Sequence, residues 1–226
     1  MRSPGCAAHP WKPLPSYSSV SLRRIAWILA AATLALAGCG GDGDSSDEDT
    51  TPTTTAESST ELAPLDPAKR YNLVFETNHG TFSVTVDQKV SPKVSASMVA
   101  LARGGFFDGT ICHRIVPGFV IQCGDPTGTG GGGPGYSTQD DVPSDLRYRK
   151  GVVAMAKTEA EPPGTAGSQF FIVTGEDVGL PPDYAFLGLI SDGIDAVDEI
   201  AVLGDPATEQ PTEEVRIEKA SVEESA

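Results

Sequence analysis

Short runs in which hydrophobic and polar positions alternate recur from residue 71 onward, separated by glycine, proline and asparagine breaks. They predict strands at 71–77 (YNLVFET) and 81–86 (TFSVTV), joined by "NHG", where Gly80 supplies positive φ in a hairpin turn. The next segment, 91–105 (SPKVSASMVALARGG), changes to a helical period. Ser91 is placed as N-cap, Pro92 at the first helical position and Gly104-Gly105 at the end. Val94, Met98 and Leu101 fall on one face of that helix. Further strands are predicted at 111–116, 119–123, 151–156, 168–173 and 184–190. A second helix follows at 193–203, with Ile194, Val197, Ile200 and Ala201 on its apolar side. The last strand, EVRIEKASV at 214–222, places Val215, Ile217 and the stem of Lys219 on one side. No internal repeat is visible. Seven or eight strands with two helices predict a mainly β protein: a closed antiparallel β-barrel with two helical caps.

The pattern changes completely before residue 66. Residues 1–38 carry four basic residues and no acidic ones, and Arg23-Arg24 precedes a fourteen-residue apolar run, IAWILAAATLALAG. That run is short for a membrane span and suits the core of a signal peptide. It ends in LAGC, which resembles the lipobox of bacterial lipoproteins and makes Cys39 the expected lipid-attachment residue. Residues 39–65 hold seven acidic residues, no basic ones and few large apolar side chains. A segment of this kind cannot offset its ordering entropy by burial, and it reads as a disordered tether. The remaining residues, 66–226, suffice for one domain with a full core. The expected location is the outer face of a bacterial membrane, with the lipid as the attachment.

The formal charge is −15, and removal of residues 1–38 would leave 31 acidic against 12 basic residues, or −19. Nucleic acid is excluded as a partner on this balance, because phosphate binding needs a basic face.

The densest chemistry lies at 110–125, TICHRIVPGFVIQCGD. Several readings of it fail on geometry. Cys112 and His113 are adjacent on an expected strand and point to opposite faces, so they cannot form a nucleophile–base pair. Two cysteines, with His79 and His113 distant in sequence, do not make a zinc site. His113 is expected to be a structural histidine bonded to backbone. GTGGGG at 128–133 matches a dinucleotide-binding pattern literally, but Pro134 and Gly135 prevent a helix from opening there. It reads as a mobile glycine loop. Ser168 in TAGSQF is not in a nucleophile elbow.

HRIVPGFVIQCGD, the glycine loop, KGVVAMA and GSQFFIVTG, in this order and spacing, resemble the cyclophilin family of peptidyl-prolyl cis–trans isomerases. The resemblance runs from about residue 72 to 222. It implies an eight-stranded antiparallel barrel with two capping helices. It also implies an essential arginine at Arg114, an aromatic at Phe119 with Val120 beside it, and at Gln122 a glutamine that orients the arginine. Ala156, Lys157 (where asparagine is usual), Gln169, Phe171 as the floor of a proline pocket, and Leu180 on its wall complete the implied site. Tyr184 stands where histidine is common, and Gly179 where many eukaryotic members have tryptophan. That last difference removes an indole that contacts cyclosporin in the family, so weak cyclosporin affinity is expected; low-nanomolar inhibition in a titration would contradict it. Lys157 implies a preference for acidic residues flanking the proline.

The implied reaction breaks no bond, so no nucleophile, metal or cofactor is expected. The expected partners are proline-containing polypeptides, exported proteins in particular, with the domain acting as a monomer. Two other readings compete: a non-catalytic module that holds proline segments, and an acidic surface protein that reuses the barrel. The cysteines depend on hairpin register. A two-residue turn sets Cys112 opposite Cys123, within disulfide reach. A three-residue turn sets Arg114 opposite Gln122, as the family site requires, and is expected to put the cysteines on opposite faces, unbonded. The second register is preferred.

Overall fold

The computed structural model describes residues 62–226; the expected signal peptide, Cys39 and residues 39–61 of the expected tether lie outside the described residues. Among the described residues no helix is long and apolar enough to cross a membrane.

Eight strands form one antiparallel sheet: β1 (Arg70–Thr77), β2 (Gly80–Val86), β3 (Arg114–Val116), β4 (Val120–Cys123), β6 (Val152–Met155), β8 (Phe170–Val173), β9 (Phe186–Asp192) and β10 (Ile217–Ser225). Their spatial order is β10-β1-β2-β9-β6-β8-β4-β3. Two-residue strands β5 (Thr138–Gln139) and β7 (Thr165–Ala166) pair separately; they are too short to carry a readable period. Helices α1 (Pro92–Arg103) and α2 (Ile194–Ala201) complete the fold.

The sheet curls into a half-barrel, and the closed barrel expected from sequence is not what forms. β3 and β10 are its edges. They approach through an isolated bridge between Ile111 and Arg216 and through the Cys112 N–H donating to the Val215 carbonyl, without a ladder. The reason lies in β3, which is three residues long and whose central Ile115 N–H is taken by the Glu209 carbonyl. The segment after α2 therefore covers the strand edge that a barrel would need for closure.

The central strands read as unbroken apolar runs, VVAM and FFIV, because both faces are covered. Strict alternation still sorts them. Val153, Met155, Phe170 and Ile172 join the main core with Phe75, Phe82, Met98 and Leu187. Val152, Ala154, Phe171 and Val173 point the other way into a smaller cluster with Val120 and Tyr148. That second cluster is the floor of the functional site.

Four local expectations are corrected. Ser91 occupies the N-cap position of α1, but its hydroxyl makes no capping bond. The buried Asp140 carboxylate, remote in sequence, accepts the Val94 N–H at 2.8 Å instead. In β10 a bulge opposite Glu76 and Thr77 shifts the alternation, so Ala220 rather than Lys219 is buried beside Ile217. Ile194 at the start of α2 is exposed, leaving Val197, Ile200 and Ala201 as its buried side. Leu65, placed at the end of the tether by sequence, packs against the main core.

Candidate functional site

The hairpin β3–β4 sets the geometry. Val116 pairs with Val120 across a three-residue turn, in which Gly118 takes φ +71° and the Phe119 N–H returns to the Val116 carbonyl at 3.0 Å. This register places Arg114 opposite Gln122, as expected. The next ladders continue the row: Gln122 faces Phe171 on β8, and Phe171 faces Ala154 on β6. Directly opposed residues share a face. Arg114, Gln122 and Phe171 therefore project outward together, over the smaller cluster.

Nine of the ten expected site residues line one cleft of about 250 Å³: Arg114, Phe119, Val120, Gln122, Ala156, Lys157, Phe171, Leu180 and Tyr184. Gln169 lies in an adjoining cleft formed by the glycine loop, and Gln122, Ala156 and Lys157 are common to both. Phe171 and Tyr184 meet edge to face, with ring centres 5.4 Å apart. Tyr148, which the sequence reading missed, props both. It is buried, its ring packs against Phe171 and Tyr184, and its hydroxyl both donates to the Tyr184 carbonyl and accepts from the Tyr184 N–H. Burial pushes its pKa up to about 12, so the hydroxyl keeps its proton.

The polar contacts differ from the implied ones. Gln122 does not hold Arg114; its amide donates to Gln169 Oε1 at 2.9 Å. Gln169 in turn donates to the carbonyls of Gly130 and Gly132. Arg114 is held from the other side: its Nε donates to Glu209 Oε2 at 2.7 Å, and its guanidinium lies 5.9 Å from the centre of the Phe119 ring. Lys157 is also not a free cation. Its side chain is 5 % exposed, and its ammonium donates to the carbonyls of Thr158 and Glu161. Asp183 lies 3.6 Å from it and the Tyr184 ring centre 5.6 Å. The expected preference for acidic flanking residues thus loses its basis.

The glycine loop, expected to be mobile, is tied down by hydrogen bonds at Thr127, Gly130 and Gly132. The buried Asp125 carboxylate accepts the Thr127 N–H and hydroxyl and the Gly130 N–H. Only glycine fits at 132, where a Cβ would fall 2.0 Å from Asp125 Oδ1. Burial alone would raise the Asp125 pKa, but the bonds from Thr127, Gly132 and Gly130 outweigh it and bring it down to about 2. A folded-state pKa below the unfolded one contributes stability above about pH 4 and loses it as the pH falls towards about 2. Asp125→Asn is expected to flatten that acid limb in denaturation midpoints measured across the window; an unchanged limb would assign it to other carboxylates. His113 borders the loop. Burial lowers its pKa, and its Nδ1 is buried without a hydrogen-bond partner among the described residues, so the expected backbone bond is absent.

The cysteines correct the sequence reading most sharply. Cys112 and Cys123 are disulfide-bonded, although the hairpin has the register expected to separate them. The β3–β4 ladder stops at Arg114–Gln122, so alternation no longer governs Cys112, while Cys123 stays in alternation on β4, paired with Phe170 on β8. The Cys112 N–H turns to the Val215 carbonyl, and Gly124 at φ +86° bends the other strand. The Cys112 side chain is thereby turned into the main core, where Cys123 already points.

The family model described as "Cyclophilin type peptidyl-prolyl cis-trans isomerase/CLD" matches residues 72–222. The peptidyl-prolyl cis-trans isomerase-like 1 of Emericella nidulans is 33 % identical over 158 residues, covering 68 % of this chain and 96 % of its own. A probable peptidyl-prolyl cis-trans isomerase B of Mycobacterium tuberculosis is 38 % identical over 161 residues, covering 64 % of this chain and 51 % of its own. The crystal structure of a Cryptosporidium parvum cyclophilin superimposes with TM-score 0.64 at 30 % identity, covering 70 % of this chain and 99 % of that one. A second structure of that protein, in the presence of the dipeptide Ala-Pro, gives TM-score 0.62 at 31 % identity.

Proposed function

The chain belongs to the cyclophilin-type peptidyl-prolyl cis–trans isomerases, and from that premise we propose that it turns over X–Pro bonds of exported polypeptides, with Arg114 as the catalytic donor. The carrying observation is the single cleft in which Arg114 faces Phe119, Gln122 and Phe171. A proline-containing ligand for this cleft agrees with the Ala-Pro dipeptide present with the Cryptosporidium relative.

The reaction sets the demands. Rotation about an X–Pro bond has a barrier of roughly 20 kcal/mol. A turnover near 10³ per second corresponds to about 13 kcal/mol, so the site must remove on the order of 6–7 kcal/mol. In the twisted transition state the proline nitrogen loses conjugation and becomes a better acceptor. A fixed donor aimed at it stabilises the transition state more than the planar ground state. An arginine guanidinium is permanently charged, and Arg114 carries its remaining N–H groups in a rigid plane while Nε is engaged. Such a donor is worth about 3–4 kcal/mol, and the rest falls to positioning. Val120 and Phe171, buried and rigid, form the floor that receives the proline ring, with Phe119, Leu180 and Tyr184 as walls. The segment preceding the proline is then the part that swings.

The envelope location rests on the signal-like segment, the LAGC motif at Cys39 and the acidic tether, which together fit a lipid-anchored domain held away from a bacterial membrane. A protease-coupled assay on a Pro-containing peptide, with the purified chain, tests the activity. Acceleration proportional to enzyme supports it; peptide binding without acceleration would leave a holding module in its place. Radiolabelled fatty-acid incorporation that persists in Cys39→Ser would sink the lipid assignment.

A further inference from the structure

The edge of β3 carries a contact that the family resemblance does not imply. Glu209 donates its own N–H to the Asp205 carbonyl, accepts the Ile115 N–H at its carbonyl, and presents its carboxylate to Arg114 Nε at 2.7 Å. It does so from φ +60°, the only positive φ at a residue other than glycine among the described residues. Glutamate adopts this left-handed conformation at a cost that glycine avoids. Strain of this sort persists where the surrounding structure imposes it and clusters at functional sites. Here the two backbone bonds impose it: one ties residue 209 to Asp205, and the other locks it to Ile115, the residue that follows Arg114. The carboxylate is therefore held in register with the guanidinium by the strand edge itself.

We propose that Glu209 is a positioning residue for Arg114, fixing the guanidinium so that its terminal N–H groups face the proline cleft. The inference rests on Arg114 being the catalytic donor. The need is physical. Arg114 is partly exposed, and the glutamine implied as its support is committed to Gln169. With Nε engaged by Glu209 and the guanidinium against the Phe119 ring, the side chain is held at two points. Without the carboxylate it is free to swing into solvent, and the donor is in place for only a fraction of encounters. The carboxylate also offsets part of the cation's charge, but both groups are open to water, which screens that opposing effect. Positioning thus outweighs neutralisation.

Glu209→Gly separates positioning from folding, because glycine relieves the backbone while removing the carboxylate. It is expected to lower kcat about 5–20-fold with KM nearly unchanged, and to leave the thermal midpoint equal or higher. Glu209→Gln, which keeps an acceptor for Nε, is expected to retain most of the activity. In an Arg114→Ala background, Glu209→Gly is expected to have no further effect. An unchanged kcat in Glu209→Gly beside an inactive Arg114→Ala would overturn this inference alone. So would an equal loss in both backgrounds. Near wild-type activity in Arg114→Ala would overturn the catalytic assignment, and this inference with it.

Discussion

Replacing Arg114 by alanine is expected to lower kcat/KM on a Pro-containing peptide by about 10²–10³, the size of effect that follows removal of one transition-state donor. Stability should hardly change. The ion pair with Glu209 joins two partly exposed groups, with side-chain exposures of 33 % and 48 %. Pairs of this kind contribute roughly 0–1 kcal/mol. The cleft floor is formed by Val120, Phe171 and their buried neighbours, and Arg114 is not part of that packing. The expected result is thus a folded, peptide-binding and nearly inactive protein. Arg114→Lys should recover little, because a lysine keeps the charge but loses the planar array that Nε and the Phe119 ring orient. Matched thermal melts and assays on both variants provide the check. A variant that retains more than about a third of wild-type kcat/KM would move the chemistry away from Arg114.

The second large effect is on stability. Loss of the Cys112–Cys123 disulfide, in Cys112→Ala with Cys123→Ala, is expected to cost about 3 kcal/mol, because the cross-link closes a short loop in the unfolded chain. For a domain of this size that lowers the thermal midpoint by roughly 5–10 °C. Both sulfurs are buried in the main core, so reductant acts on the unfolded chain first and the native protein resists it. Denaturation with and without reductant should reproduce the difference in the wild-type chain. The bridge ties the two strands two residues before Arg114 and one residue after Gln122, so a smaller fall in kcat should accompany the loss. A midpoint shift under about 2 °C would mean that the two side chains pack as well unbonded.

Much of the site was legible in the sequence because the reaction draws on one face of a few strands. Alternation and the Pro117-Gly118 turn leave two hairpin registers open; the family resemblance selects the one that sets Arg114 opposite Gln122 and implies Phe171 as the pocket floor, and the ladders have that register. The partners of those residues were not legible. Glu209 and Asp140 act across 95 and 46 residues of chain, and neither lies in a local pattern that marks it. Tyr148 stands in RYRK, where nothing local distinguishes it from a surface residue.

The cysteines mark the same boundary. The sequence alone determined the longer strands and the two helices, because each follows from the period of nearby side chains and from turn chemistry, and it narrowed the hairpin to two registers, between which the family resemblance chose. It determined the family for a related reason, since the motifs lie on those same strands. Only the tertiary structure decided how far the ladder extends, which backbone groups meet beyond its end, and what each charged group contacts. The Val215 carbonyl draws Cys112 out of alternation, and the segment carrying Glu209 stops the sheet from closing. These outcomes depend on competition for hydrogen bonds between segments remote in sequence. That competition is settled by packing, which no local period encodes.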